Sequence, residues 1–162
     1  MRHTISVLVE NEFGVLSRVS GLFSGRGFNI ESLCVAETTD PQISRMTIVT
    51  SGNEKILEQI EKQLNKLINV IKVVNHSGGD SVERELVLIK VAAEADTRAE
   101  ILRIVDIFRG KVVDAAPKTY TLEVTGSEGK IGAIIEMLKP IGIKEIARTG
   151  TIAMGRGGKI LK

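Results

Sequence analysis

Asn11 and Gly14 stand three residues apart, where an alternating apolar run (Ile5, Val7, Val9) gives way to a helical stripe of Val15, Val19, Leu22 and Phe23. The change of period from two to about 3.6 predicts a strand that turns directly into a helix. The start of a helix presents N–H groups without intrahelical acceptors and a partial positive charge, a combination that suits a carboxylate. Gly14 lets a ligand come close to the backbone, and the Asn11 amide oxygen can accept from an ammonium group. Side by side these features describe a receptor for a small zwitterion such as an amino acid. Ordinary turn chemistry between a strand and a helix also accounts for Asn11 and Gly14 taken alone.

Catalytic chemistry finds little support. His3 and His76 lie far apart in sequence, with no Cys, His or carboxylate nearby at metal-ligand spacing. No GxSxG, HExxH, GxxxxGK[ST] or dinucleotide fingerprint occurs. Gly155-Arg156-Gly157-Gly158-Lys159 has the look of a phosphate loop, but too few residues follow it to build the helix that such a loop needs; it reads as a flexible basic tail. Cys34 is the only cysteine, which excludes an intrachain disulfide and fits a reducing, cytoplasmic setting. Its apolar neighbours suit a buried small hydrophobe rather than a nucleophile.

The elements that would position the Asn-x-x-Gly turn recur in two rounds. In the first, strands over 5–9, 30–37, 43–50 and 70–74 alternate with two helices. The first helix is stopped by Gly25 and Gly27; the second carries Ile56, Ile60, Leu64 and Leu67 behind a capping-box spacing of Ser51 with Glu54. After His76-Ser77-Gly78-Gly79-Asp80, which reads as a linker, strands over 84–91, 111–115, 119–125 and 143–148 surround two more helices. One of these carries Ile101, Ile104, Val105 and Phe108 behind Thr97 and Glu100, and the other carries Ile131, Ile134, Ile135 and Leu138 and ends before Pro140. The expectation is an α+β chain of two tandem ferredoxin-like βαββαβ domains, over 1–76 and 82–162 with 77–81 as linker. Each has an antiparallel sheet with helices on one face. The uncovered sheet face and the strand edges call for a second copy. The second-half turn, Ala92-Ala93-Glu94-Ala95-Asp96-Thr97, lacks Asn-x-x-Gly, and no amino-acid site is expected there.

Composition narrows the class. A net charge of +2 lacks the basic surplus of a nucleic-acid binder, and residues 1–76 are balanced at eight basic and eight acidic side chains. The excess falls at the end, where Arg148, Arg156, Lys159 and Lys162 follow the last acid, Glu145. No run approaches a membrane span, so no membrane partner is expected.

The ordered blocks carry a resemblance. Asn11-Glu12-x-Gly14-x-Leu16-Ser17-Arg18 and Arg26-Gly27-Phe28-Asn29-Ile30-Glu31-Ser32-Leu33 are followed by Ser44-Arg45-Met46-Thr47, Val82-Glu83-Arg84-Glu85-Leu86, Ile107-Phe108-Arg109-Gly110-Lys111 and Glu145-Ile146-Ala147-Arg148-Thr149-Gly150. Across essentially the whole chain this resembles the small, regulatory subunit of acetohydroxyacid (acetolactate) synthase, whose N-terminal half is an ACT domain. The resemblance implies a non-catalytic subunit that activates a catalytic large subunit and makes it sensitive to valine in branched-chain amino-acid synthesis. Thiamine diphosphate, magnesium and FAD would all reside in that partner, and this chain would hold no cofactor. It implies a homodimer through the ACT domains, and makes Asn11, Gly14, Val15, Leu16, Asn29 and Ile30 the candidates for a valine site shared by two copies. Two rivals remain on the sequence: a stand-alone ACT sensor acting on another protein, and an RNA-recognition module, which has the same βαββαβ order. The latter stacks bases on sheet aromatics, whereas this chain is 3% aromatic and places only Tyr120 clearly within a strand.

Overall fold

The computed structural model describes residues 1–161, which form two units: Met1–Val82 with the stretch from Thr151 onward, and Glu83–Gly150. Lys162, one of the tail cations, lies outside the described residues.

In the first unit, β1 (Arg2–Glu10), α1 (Val15–Gly25), β2 (Ser32–Glu37), β3 (Ile43–Ser51), α2 (Glu54–Asn65) and β4 (Val70–Asn75) follow the expected order. The sheet is antiparallel with order β2-β3-β1-β4, so the first and third strands lie centrally. Alternation sends Ile5, Val7 and Val9 to one face, where they meet Val15, Val19 and Phe23 of α1 and Leu57, Ile60 and Leu64 of α2 in one core. The capping of α2 differs from the expectation. Its N-cap is Asn53, whose side chain accepts from the Ile56 N–H at 3.0 Å, while Ser51 still belongs to β3. Asn53→Ala is therefore expected to cost about 1 kcal/mol in denaturant unfolding, and Ser51→Ala less than about 0.5 kcal/mol.

The opposite sheet face is not left bare. Thr4, Ser6 and Leu8 point there and are nonetheless buried. The segment expected to be a flexible tail contributes to that face: it forms β9 (Ile152–Gly155) within the first unit. Arg45 of β3 donates to the Ala153 carbonyl, and the Thr151 N–H donates to Ser32 Oγ at 3.0 Å. Farther along, the Arg156 N–H donates to the Asp80 carbonyl at 3.1 Å and Lys159 pairs with the Asp80 carboxylate. The hydrogen bond and charge of Lys159, with Arg156 adding to them, hold the Asp80 carboxyl below its usual range. A lowered carboxylate adds its stabilisation above the ordinary carboxylate pKa and loses it as pH falls through the lowered value. Burial alternates as Thr151 in, Ile152 out, Ala153 in, Met154 out. That period-two signal is too short, and too closely followed by glycines, to be read as a strand from sequence.

The second unit repeats the plan with β5 (Ser81–Ala92) from Glu83 onward, α3 (Arg98–Ile107), β6 (Lys111–Ala115), β7 (Thr119–Gly126), α4 (Glu128–Leu138) and β8 (Ile143–Arg148). Its antiparallel order is β6-β7-β5-β8. Val87, Ile89 and Val91 pack with Ile101, Ile104, Ile131, Ile134 and Leu138. Thr97 sits at the α3 N-cap but makes no side-chain cap; its hydroxyl donates to the Glu94 carbonyl at 3.2 Å instead. Ser127, which the sequence reading passed over, accepts from the Lys130 N–H to cap α4. Glu85 is buried and receives two hydrogen bonds from Arg148, Nε to Oε1 at 2.7 Å and Nη2 to Oε2 at 2.9 Å. That pairing raises the guanidinium pKa. No helix among the described residues is long and apolar enough to cross a membrane.

Candidate functional site

Asn11 directly follows β1 and is fixed twice to the strand connection beside it. Its N–H donates to the Gln42 carbonyl at 2.7 Å and its side-chain Nδ2 to the Pro41 carbonyl at 2.9 Å. With the amide nitrogen so engaged, Oδ1 is left as the acceptor, the role a ligand ammonium requires. Gly14 is the N-cap of α1 with φ +83°, ψ −6°, a left-handed conformation natural to glycine. No side chain caps this helix and its first turn holds no acid. The Val15 N–H makes a long 3.4 Å contact with the Glu12 carbonyl, and the Leu16 N–H belongs to the orphan set of any helix start. The result is a helix start without a side-chain cap, three residues beyond an asparagine whose amide oxygen is left as an acceptor, features whose chemistry suits a carboxylate and an ammonium group respectively.

Side-chain placement sorts the remaining candidates. Val15 is buried in the first core, so only its backbone can meet a ligand, whereas Leu16 is 46% exposed at the mouth of the turn. Ile30 is half-buried against the same core. Asn29 has an exposed side chain, and its carbonyl accepts from Thr50 Oγ1 at 2.7 Å.

These anchors separate the two halves of the candidate set. Asn11 is tied to Gln42, just before β3, and Asn29 to Thr50, near the far end of the same strand. Eight residues of extended strand span ~26 Å at ~3.3 Å each. Within one chain, then, Asn11, Gly14, Val15 and Leu16 form one group and Asn29 with Ile30 another, at opposite ends of the sheet.

The turn is braced by residues that the sequence reading did not single out. Asn69, buried just before β4, accepts from the Arg18 guanidinium and donates through Nδ2 to Glu10 Oε2 at 2.7 Å and Glu12 Oε2 at 3.3 Å. Its carbonyl also takes the Glu10 N–H at 2.9 Å. One buried amide thus ties both carboxylates flanking Asn11 to the helix that follows. The only signal in the sequence is a lone polar residue inside Ile68-Asn69-Val70.

The corresponding turn of the second unit is closed by its own chain. Arg98 donates to the carbonyls of Ala93 and Pro117, and the Thr97 and Arg98 N–H groups both donate to the Glu94 carbonyl. Both histidines serve structure: His3 lies 3.0 Å from Ser77 Oγ and from the Gly52 carbonyl, and His76 lies 2.9 Å from Ser6 Oγ. Tyr120 packs against the second core on the helix side, as do Phe28 in the first and Phe108 in the second, and Phe23 is fully buried. The sheets therefore lack the exposed aromatic platform of an RNA-recognition module.

Comparison with known proteins agrees with this fold. Residues 5–72 match the "AHAS small subunit-like ACT domain" family and residues 84–157 match the "Small subunit of acetolactate synthase" family. The chain is 54% identical over 159 residues to the probable acetolactate synthase small subunit of Archaeoglobus fulgidus, covering 98% of this chain and 99% of that one. It is 50% identical over 163 residues to the acetolactate synthase isozyme 3 small subunit of Escherichia coli, covering both chains in full. The crystal structure of the acetolactate synthase small subunit from Thermotoga maritima superposes with a TM-score of 0.89 at 42% identity, over 98% of this chain and 99% of that one. With both halves matched in order and the fold shared throughout, the chain belongs to the acetolactate synthase small-subunit family, with an ACT domain as its N-terminal half.

Proposed function

We propose that this chain is the non-catalytic regulatory subunit of a cytoplasmic acetolactate synthase and that it binds valine between two copies of itself. It raises the activity of a catalytic large subunit, which holds thiamine diphosphate, magnesium and FAD and condenses pyruvate into acetolactate. Valine bound to the ACT domains then lowers that activity, closing a feedback loop on branched-chain amino-acid synthesis.

The observation that carries the reading is the combination of the uncapped α1 start at Gly14 with its separation from Asn29. The helix end and Asn11 supply the carboxylate and ammonium contacts. Leu16 and, from a second copy, Ile30 supply apolar surface, and Asn29 of that copy supplies a further amide. A site that needs both ends of the sheet is completed by a two-fold axis that sets the end of one copy against the opposite end of another. Such a ligand stabilises the dimer as well as the fold.

A thermal-shift measurement tests this directly. Valine is expected to raise the Tm of the isolated protein by the mass-action term, which amounts to about 2.7 kcal/mol at a hundredfold excess over Kd. Asn11→Ala and Asn29→Ala should each shrink that shift, and an undiminished shift in both would place the site elsewhere. The same preparation, supplied with pyruvate, thiamine diphosphate, magnesium and flavin, should form no acetolactate unless the large subunit is added.

A further inference from the structure

A cavity of about 840 Å³ opens on the first unit between the end of β4 and the returning C-terminal segment, and its lining includes no residue of the Asn11 turn. Its polar wall includes Arg45 and its apolar wall Val74, Met154, Ile160 and Leu161. Arg45 reaches it from the sheet face opposite the helices, standing across from Leu8 in the β1–β3 register. The guanidinium donates to Ser6 Oγ at 3.3 Å and to the Ala153 carbonyl, both neutral acceptors. No carboxylate among the described residues pairs with it; Asp80, the acid on the cavity wall, is engaged by Lys159. Burial lowers the Arg45 pKa, as expected of a cation that has lost water without gaining a counter-charge. A partly desolvated cation beside an aliphatic wall matches one kind of molecule: an anion at one end and hydrocarbon at the other. Its size lies within the range of small-molecule pockets. Met154 and Ile160 are 62% and 63% exposed, so each has apolar surface for a ligand to cover.

We propose that this cavity is a second ligand site, taking an aliphatic carboxylate that carries no ammonium group, with Arg45 binding the carboxylate and Val74, Met154 and Ile160 the chain. An amino acid is disfavoured there, because its ammonium would lie against Arg45 and Lys159 with Asp80 already neutralised. The site is independent of the valine reading: it uses different residues and takes an anion with no ammonium group.

Calorimetric titration of the full-length protein with octanoate, octylammonium and valine separates the possibilities. Octanoate should bind, octylammonium should bind at least about tenfold more weakly, and Arg45→Met, which keeps the apolar stem, should weaken octanoate by about tenfold or more. Met154→Glu, at an exposed position that leaves the core untouched, should weaken octanoate in the same direction by placing a like charge on the rim. Gly14→Asp should leave octanoate binding intact, so that failure of the valine site and failure of this one are read apart. Absence of octanoate binding, equal binding of octylammonium, or octanoate affinity unchanged in both Arg45→Met and Met154→Glu would overturn the proposal.

Discussion

Gly14→Asp is expected to yield a subunit that still activates its catalytic partner but no longer responds to valine. A Cβ built at this position meets nothing within 4 Å, so the substitution creates no clash. The remaining cost is conformational: an L-residue at φ +83° loses ~1–2 kcal/mol, and aspartate is among the residues that tolerate this region best. The fold should survive that. The ligand should not, because a fixed carboxylate then occupies the helix end that the valine carboxylate needs. Losing a charge-assisted hydrogen bond and gaining a like charge should cost about 3 kcal/mol, or roughly a hundredfold in valine affinity. Gly14→Ala supplies the control, since it carries a backbone cost at least as large without the charge and should remain largely valine-sensitive. Acetolactate formation by the reconstituted enzyme, titrated with valine, reads both outcomes. If Gly14→Asp is folded and dimeric yet fails to activate, the turn belongs to the subunit contact instead.

The second large effect lies in the other unit. Arg148→Ala should destabilise the Glu83–Gly150 unit by about 3 kcal/mol in urea unfolding, at the lower end of what breaking a buried pair costs. The Glu85 side chain is only 4% exposed and would lose both of its hydrogen bonds to Arg148, while Arg148 itself is 47% exposed and contributes less by its own burial. Replacing both partners by apolar side chains, as Glu85→Met with Arg148→Met, should recover most of the loss because neither an unpaired charge nor an unpaired buried polar group then remains. The sign with pH follows from the raised guanidinium pKa. Such a cation contributes its full stabilisation below its ordinary pKa and loses it only as pH rises through the raised value. The pair therefore adds no alkaline limb within the usual working range.

How far these features could be read in advance depends on the length of the pattern that carries them. Stripes such as Val15, Val19 and Phe23, or Ile131, Ile134 and Leu138, repeat over about two turns and place their helices unambiguously. Caps rest on single residues, and there local competition decides. Ser51 pairs with Arg2 at the end of β3, which leaves Asn53 to cap α2, and the Thr97 hydroxyl turns back to Glu94. The return of Thr151–Gly155 to the first unit was invisible because a four-residue strand flanked by glycines has no periodicity to speak of. Its burial comes from long-range contacts such as Arg45 with Ala153. At the candidate site, Asn11 and Gly14 stood out because their chemistry is local to one turn. Asn69 did not, since its partners Glu10, Glu12 and Arg18 are more than fifty residues away in sequence and meet it only through the pairing of β1 with β4.

The central claim is that Asn11 of one copy and Asn29 of another serve the same valine. It is tested most directly by mixing two defective proteins. Asn11→Ala and Asn29→Ala are denatured together, refolded, and titrated with valine by calorimetry, alongside each variant refolded alone. In a mixed dimer one site inherits both substitutions and the other inherits neither. Random pairing should therefore restore wild-type affinity to about one site in four, while each variant alone shows none. Restoration of that fraction is the predicted result. A mixture that binds valine no better than the two variants measured separately would contradict the shared site and place both asparagines' roles within single chains.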